Sequence, residues 1–358
     1  MIKIGGSNNL SAQIVTYPTY GFQTDNLGWR INVAGMAFQN SPLTLRQRML
    51  VKMLGKTMKV DEETLSGEIF RNRVSPFFVE AEKGLEVRVT VGETTVPLRK
   101  RSRKNGHFFG SPRFTKTIIE QVAETDEFGR LRVPYSISTV GGAVEVRQGV
   151  AHLIPRQGIS VISDIDDTIK ESQVADRREL LVNTFLRDFR SVSGMASVYR
   201  DWQASGAEFH YVSSSPWQLF HPLHQHQSDN GFPSGTMHLR NFRLRDQLLK
   251  RVMMLRRRGK ATAIYKMLND LPDRKFVLVG DSAEKDPEIY LKVWRRHPGQ
   301  VKGIFIRDIQ ERPMIEERIR KLFRSASDSV CTVFTDAETL ARDATKVFGG
   351  RSTTSGVS

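Results

Sequence analysis

Four short apolar runs, Ile159 to Ile162, Phe209 to Val212, Phe276 to Val279 and Gly303 to Ile306, alternate with segments of helical pattern. A strand without a polar face must be covered on both sides, so this half of the chain is restricted to a parallel sheet layered between helices. The first three runs pass straight into polar residues, and open α/β sheets bind ligands at the carboxyl ends of their strands. Upstream the pattern changes. Trp29, Ile31 and Val33 alternate with polar neighbours, as do Leu85, Val87, Val89 and Val91, which describes half-buried antiparallel sheet. Pro42 to Leu54 interrupts it with one amphipathic helix, and further strands are expected at Arg130 to Ser136 and Gly142 to Val146. The basic run Arg99 to Lys104 enters Asn105-Gly106 and reads as a hairpin tip. The polar stretch Gln148 to Gly158 is the expected boundary. The organisation is therefore a β-rich, sandwich-like domain over residues 1–150, an α/β domain over 151–348 and a flexible tail over 349–358.

The strand at Ile159 delivers Ser163-Asp164-Ile165-Asp166-Asp167-Thr168, with two carboxylates pointing from one strand end. Carboxylates this close are tolerated when a cation lies between them or when one keeps its proton. Mg²⁺ suits the first arrangement, since it takes oxygen ligands and works with one or two carboxylates plus a substrate phosphate. A second strand ends in Gly280-Asp281-Ser282 and is followed by Asp286. The strand between them in sequence ends in Ser213-Ser214-Ser215-Pro216, offering a hydroxyl and free backbone N–H groups to phosphate oxygens. Lys260 opens the helix before the Gly280 strand, placed to neutralise charge on a transferring phosphoryl group. Thr168 is expected to make turn hydrogen bonds, and Asp167 to orient its neighbours rather than react. His221, His224 and His226 lie on a helix after Trp217 and Phe220, and their spacing is a poor metal pattern, so a solvated or capping role is expected.

This ordered set resembles the haloacid dehalogenase superfamily, which implies a Rossmannoid domain with a parallel sheet. The resemblance places Asp164 on the nucleophile, Asp166 on the general acid/base, Ser213 on the phosphate-binding hydroxyl and Lys260 on the charge-stabilising lysine, with Ser214 beside the substrate. Asp281 and Asp286 fall on the acidic motif, and Mg²⁺ is then held by Asp164, the backbone carbonyl of Asp166 and Asp281. The stretches Asp164 to Ser172, Tyr211 to Phe220, Gly231-Phe232-Pro233 with Gly235, and Gly280 to Tyr290 are similar to the fungal actin-patch phosphatidate phosphatases and their bacterial relatives. That likeness implies Mg²⁺-dependent hydrolysis of phosphatidate to diacylglycerol, cytoplasmic and peripheral to the membrane, with cortical actin or endocytic proteins as partners. The alternatives are the same chemistry on a soluble phosphomonoester or phosphoprotein, and a non-catalytic adaptor for anionic lipid.

Composition agrees with an acidic partner: 54 lysines and arginines against 39 acidic residues give +15. Arg99 to Lys104, Lys250-Arg251 with Arg256 to Lys260, and Arg318 to Arg324 are the candidate membrane contacts, and modification of Ser102 or of the tail residues Ser352 to Thr354 would weaken them. Neither a zinc-finger spacing nor an aromatic-basic RNA motif accompanies the charge, so nucleic acid is not expected. The single cysteine, Cys331, excludes an intramolecular disulfide and reads as a buried thiol. No apolar run is long enough to span a bilayer, and Met1 to Asn9 lacks signal-peptide order. Only about 40 residues part Thr168 from Phe209, too few for a large lid, so an open mouth is expected. Phe185, Phe189, Val192 and Met195 on that segment read as core.

Overall fold

The computed structural model describes residues 13–25, 28–140, 147–240, 258–309, 315–324 and 330–348. The expected strand at 142–146, the cations at 250, 251, 256 and 257, and the tail from 349 lie outside the described residues. The chain is mixed α/β. Its carboxyl-terminal half is built on a six-stranded parallel sheet, in the order Thr236–Arg240, Glu208–Pro216, Ile159–Ser163, Lys275–Asp281, Val301–Arg307 and Cys331–Phe334. The strand Ile159–Ser163 lies between the serine-tipped and the Gly280-tipped strands, so the three polar strand ends are adjacent. Alternate residues of these strands face opposite sides. Val161, Phe209, Val277 and Phe305 enter one apolar core, while Ile162, Val212, Leu278, Ile304 and Ile306 enter another with the helices Arg258–Asp270 and Asp286–Arg296.

The amino-terminal region holds a four-stranded and an eight-stranded sheet. Ile14, Val33 and Phe108 from the first share a core with Val87, Val89, Val133, Ile137 and Leu153 from the second, which is a sandwich. Period-two burial is clear in Glu86–Val91, where Val87, Val89 and Val91 are fully buried between exposed or half-buried neighbours. The stretch expected as a boundary is largely strand. Arg147–Ile154 pairs with Leu131–Val140 and with Thr19–Gln23, leaving residues 155–158 as the link to the parallel sheet. There Gly158 has φ +111°, and the Arg274 guanidinium donates to the carbonyls of Pro155, Gln157 and Ile159.

The basic run is not a hairpin tip. The strands flanking it, Thr94–Pro97 and His107–Gly110, pair with different sheets, so the run crosses between sheets before the tight turn at Asn105-Gly106. Ser102 within it is buried, its hydroxyl donating to the Glu82 carbonyl and accepting from the Leu85 N–H, which removes it as a modification site. Cys331 is partly buried rather than buried. No described helix is long and apolar enough to cross a membrane.

The two regions are packed together. Val51, Leu54, Phe70, Phe77 and Phe78 share a core with Leu181, Phe185, Trp217 and Leu219, and Tyr20 packs into the core on the other face of the parallel sheet. The Tyr20 hydroxyl donates to Asp270 at 2.7 Å, and the Met237 N–H donates to the Pro18 carbonyl at 3.0 Å.

Candidate active site

Asp164 follows the central strand, its N–H donating to the Val279 carbonyl at 2.9 Å, and its side chain is 1% exposed. One carboxylate oxygen lies 2.9 Å from Lys260 Nζ, yet neither oxygen has a hydrogen bond of good geometry. Burial, and then the negative charge of Asp286, Glu284 and Asp281, push this carboxyl well above its ordinary range against the pull of Lys260.

Asp166, two residues on, is in a different state. Its Oδ1 accepts from Ser172 Oγ at 2.7 Å and pairs with Lys170 Nζ at 2.9 Å. Its Oδ2 accepts from Ser213 Oγ at 3.1 Å and Ser215 Oγ at 2.6 Å. Burial acts to raise this carboxyl, but Lys170 and the hydroxyls of Ser215 and Ser172 outweigh it and hold Asp166 far below the usual carboxylate range. The local fold explains how so many donors converge. Asp167 sits in the left-handed region at φ +54°, and its carboxylate accepts from the N–H groups of Ser172, Gln173 and Val174, which folds Lys170 and Ser172 back over Asp166. Asp167 therefore orients its neighbours, as expected; the Thr168 hydroxyl, expected to bond in the turn, has no partner.

On the adjacent strand end, Asp281 Oδ1 accepts from the N–H groups of Ala283 and Glu284, winding the loop so that Glu284 returns to the site. Asp281 Oδ2 is buried without a partner. Gly280 is required here: a side chain on it would overlap the Asp286 carboxylate. Asp286 pairs with Lys260 and is in reach of the Tyr290 hydroxyl at 3.5 Å. Burial acts to lower the Lys260 ammonium, but Asp164 and Asp286 raise it well above its ordinary value, so it is a fixed cation.

The structure thus brings together Asp164, Asp166, Ser213, Ser214, Lys260, Asp281 and Asp286. It also adds residues that sequence reasoning left without a role, Glu284, Lys170 and Ser172, and turns the Ser215 hydroxyl to Asp166. Glu284 stands three residues after Asp281, and Lys170 four after Asp166, so loop proximity to the motif aspartates was the available signal. Asp164, Asp281 and Glu284 offer oxygens within 4.8 Å of one another, a set of hard donors that fits a small divalent cation. Asp281 Oδ2 and Asp164 Oδ2 are buried without a partner, and among the described residues five carboxylates of the site pair with the ammonium groups of Lys170 and Lys260 or lie beside them. Burial, with Asp286 and Asp166 adding to it against Lys260, raises Glu284 to about 7. Asp286 is turned to Lys260 instead of joining that triad. The histidine helix, Phe220–Asp229, stands apart: His221 and His224 are exposed, and His226 is buried against Phe189 and bonded to Ser191.

A small cleft, open to solvent, begins at Asp166, Ser214, Ser215 and Glu284. Its remaining wall is mainly apolar: Phe77, Val174, Leu180, Leu181, Phe185 and Leu219. Phe77 comes from the amino-terminal region, so that region supplies part of the cleft wall.

Residues 159–308 match the family described as phosphatidate phosphatase APP1, catalytic domain. Over 161 residues the chain is 37% identical to phosphatidate phosphatase APP1 of Saccharomyces cerevisiae, an alignment covering 44% of this chain and 27% of that protein. Over 161 residues it is 32% identical to an uncharacterized protein of Schizosaccharomyces pombe, covering 44% and 26%. The chain therefore spans about a quarter of the length of these curated relatives. Among solved structures, a Photobacterium 2,6-sialyltransferase aligns over 68% of this chain and 44% of its own at 8% identity, with a TM-score of 0.21. Motifs, site geometry and matched span meet in one segment: residues 159–308 are similar to the catalytic domain of the phosphatidate phosphatase APP1 family.

Proposed function

We propose that this chain hydrolyses phosphatidate to diacylglycerol and phosphate at the membrane surface of the cytoplasm. Catalysis is assigned to a haloacid-dehalogenase-like unit of residues 151–348, with the β-rich unit 1–150 completing its cleft. The observation that carries this reading is the opposite condition of two carboxylates two residues apart. Asp164 has an unpartnered Oδ2 and an Oδ1 that faces Lys260 at 2.9 Å, whereas Asp166 is held by four side chains on the side where the cleft opens.

Asp164 attacks phosphorus in line, forming an aspartyl-phosphate as the bond to the glycerol oxygen breaks. Asp166 gives that oxygen its proton. A phosphate group arriving beside Asp166 adds negative charge, which raises the proton affinity of a carboxyl that is otherwise held ionised, so that Asp166 takes up a proton from solvent as the substrate binds. Once ionised again, Asp166 takes a proton from water as the water attacks the aspartyl-phosphate, releasing phosphate and freeing Asp164. Lys260 offsets charge on the phosphoryl oxygens, and Ser213 and Ser214 bind them. Asp164, Asp281 and Glu284, with the Asp166 carbonyl, would hold Mg²⁺, which would add to the neutralisation of the phosphoryl group.

The apolar cleft supports a lipid alcohol. The leaving oxygen must face the acid, so the alcohol lies on the Asp166 side, and that side is lined by Phe77, Leu180, Leu181 and Phe185. The test is phosphate release from phosphatidate in mixed micelles with Mg²⁺, with EDTA, and beside a soluble phosphomonoester. Mg²⁺-dependent release confined to the lipid is expected. Release from the soluble compound alone would discard the lipid assignment, and release from neither would discard the enzyme.

A further inference from the structure

The helix Leu45–Met58 has two unlike faces. Val51, Leu54 and Met58 are buried, in the core that also holds Leu181 and Phe185. On the other side Leu45, Met49 and Met53 are 80%, 66% and 51% exposed, half of the six large apolar side chains that stand exposed among the described residues. Residues spaced by four lie over one another on a helix, so the three form one stripe. Arg46, Arg48, Lys52 and Lys56 are also exposed on this helix, and it has no acidic residue. Lys52 has one exposed acidic neighbour, Glu62, at 3.7 Å.

We propose that this face is the surface by which the chain lies on an anionic bilayer, with Leu45, Met49 and Met53 entering the boundary between headgroups and acyl chains. A helix whose apolar stripe is interleaved with lysine and arginine suits an interface, because the long basic side chains keep their charge among lipid phosphates while their stems cover apolar surface. A protein groove burying the stripe would have to desolvate Lys52 and Lys56 beside it. A second copy would bring the same cations to the same place. An anionic lipid surface is the occupant that satisfies both components.

The helix is formed before it meets a membrane. The Thr44 hydroxyl accepts from the Gln47 N–H, and the Gln47 side chain accepts from the Thr44 N–H, a reciprocal cap on the first turn. It is also next to the cleft. Its inner face packs on the helix Arg177–Phe185, and Arg178 Nε donates to the Met58 carbonyl at 3.1 Å. Because Arg177–Phe185 supplies Leu180, Leu181, Thr184 and Phe185 to the cleft wall, docking on the outer stripe sets the cleft beside the lipid. The inference deepens the phosphatidate reading, but its test does not depend on turnover.

The full chain is mixed with vesicles of phosphatidylcholine alone and with added phosphatidylglycerol, an anionic lipid that is not the proposed substrate, and binding is read by flotation. The chain is expected to float with the anionic vesicles. L45Q/M49Q/M53Q is expected to bind them at least about thirtyfold more weakly, equivalent to about 2 kcal/mol at 1.4 kcal/mol per tenfold. R46Q/R48Q/K52Q/K56Q is expected to lose the preference for anionic over neutral vesicles, while L131Q, at another exposed apolar site, floats as the native chain does. All three substitutions are on exposed side chains, so unchanged melting curves will show that the fold is intact. Flotation of the triple variant at native strength, or no flotation of the native chain, would overturn the proposal. So would a native dimer that the triple variant dissolves in the absence of any vesicle binding. A chain that floats but releases no phosphate from phosphatidate would keep this surface and reject the substrate.

Discussion

Asp164 and Asp166 have the same side chain and stand at one strand end, and their surroundings alone divide their roles. Replacing Asp164 by Asn keeps shape and removes the proposed nucleophile, so turnover is expected to fall at least about a thousandfold. The melting temperature is expected to hold or rise, because burial and three neighbouring carboxylates already push the Asp164 carboxyl up, and the amide relieves that repulsion. Substantial phosphate release from D164N would sink the aspartyl-phosphate. Glu284 makes a separate prediction. If it completes the cation site with Asp164 and Asp281, Glu284→Gln will raise the Mg²⁺ concentration needed for half-maximal rate by about tenfold or more, in the range that supporting metal contacts command. A Mg²⁺ titration that superimposes on the native one would remove Glu284 from the site. At Gly280 the demand is steric: Gly280→Ala overlaps the Asp286 carboxylate, and this crowding of a buried site is expected to cost about 1–3 kcal/mol in a denaturant titration.

At the scale of elements, the helix Arg177–Phe185 forms one wall of the cleft and is held from outside by a residue of the amino-terminal region. Arg73 is buried with its guanidinium 3.8 Å over the Phe189 ring, donating to the carbonyls of Asn183, Thr184 and Arg187 at 3.4, 3.0 and 2.6 Å. Arg73→Met is expected to leave those carbonyls without this donor and cost about 1–3 kcal/mol, read by denaturant titration, with a higher KM for phosphatidate as the cleft wall loosens. An unchanged KM would show that the wall does not depend on Arg73. None of this was legible beforehand, because a contact between residues more than 100 positions apart has no periodic trace in a sequence. What periodicity does record was legible. The strands at Ile159, Phe209 and Phe276 announce themselves because both of their faces are buried, and the aspartates follow because a strand end fixes where they point. Glu284 and Lys170 reach the site through loops whose course is set by side-chain to backbone hydrogen bonds of Asp281 and Asp167, and loop course is not encoded by residue spacing. The basic run failed as a hairpin because Asn105-Gly106 specifies a turn but not which strands the turn joins.

Over the whole molecule, the shared cores tie the sandwich and the parallel sheet to a common response to acid. His107, on the strand His107–Gly110, is fully buried and meets Trp217 of the parallel-sheet half edge-on at 5.5 Å. Burial pulls its imidazole down to about 4. Burial, with Arg132 and Arg130, pulls His152 down to about 3, and burial places His210 well below its ordinary value. A histidine whose folded pKa is depressed binds fewer protons folded than unfolded, so stability falls as pH drops below the unfolded value of about 6.5. For His107 the loss continues until the folded value near 4 is reached. Each such group contributes a slope of up to about 1.4 kcal/mol per pH unit in its window. The native chain is therefore expected to lose melting temperature steadily from pH 6.5 to 4. In His107→Phe, which keeps a ring against Trp217 and Phe109 but cannot take the proton, that slope should be shallower by one histidine's share. Equal slopes for the two chains, measured by thermal melting across that range, would mean that the ring takes up its proton in the fold as readily as in the unfolded chain, and that its contact with Trp217 does not couple acid sensitivity of the sandwich to the catalytic sheet.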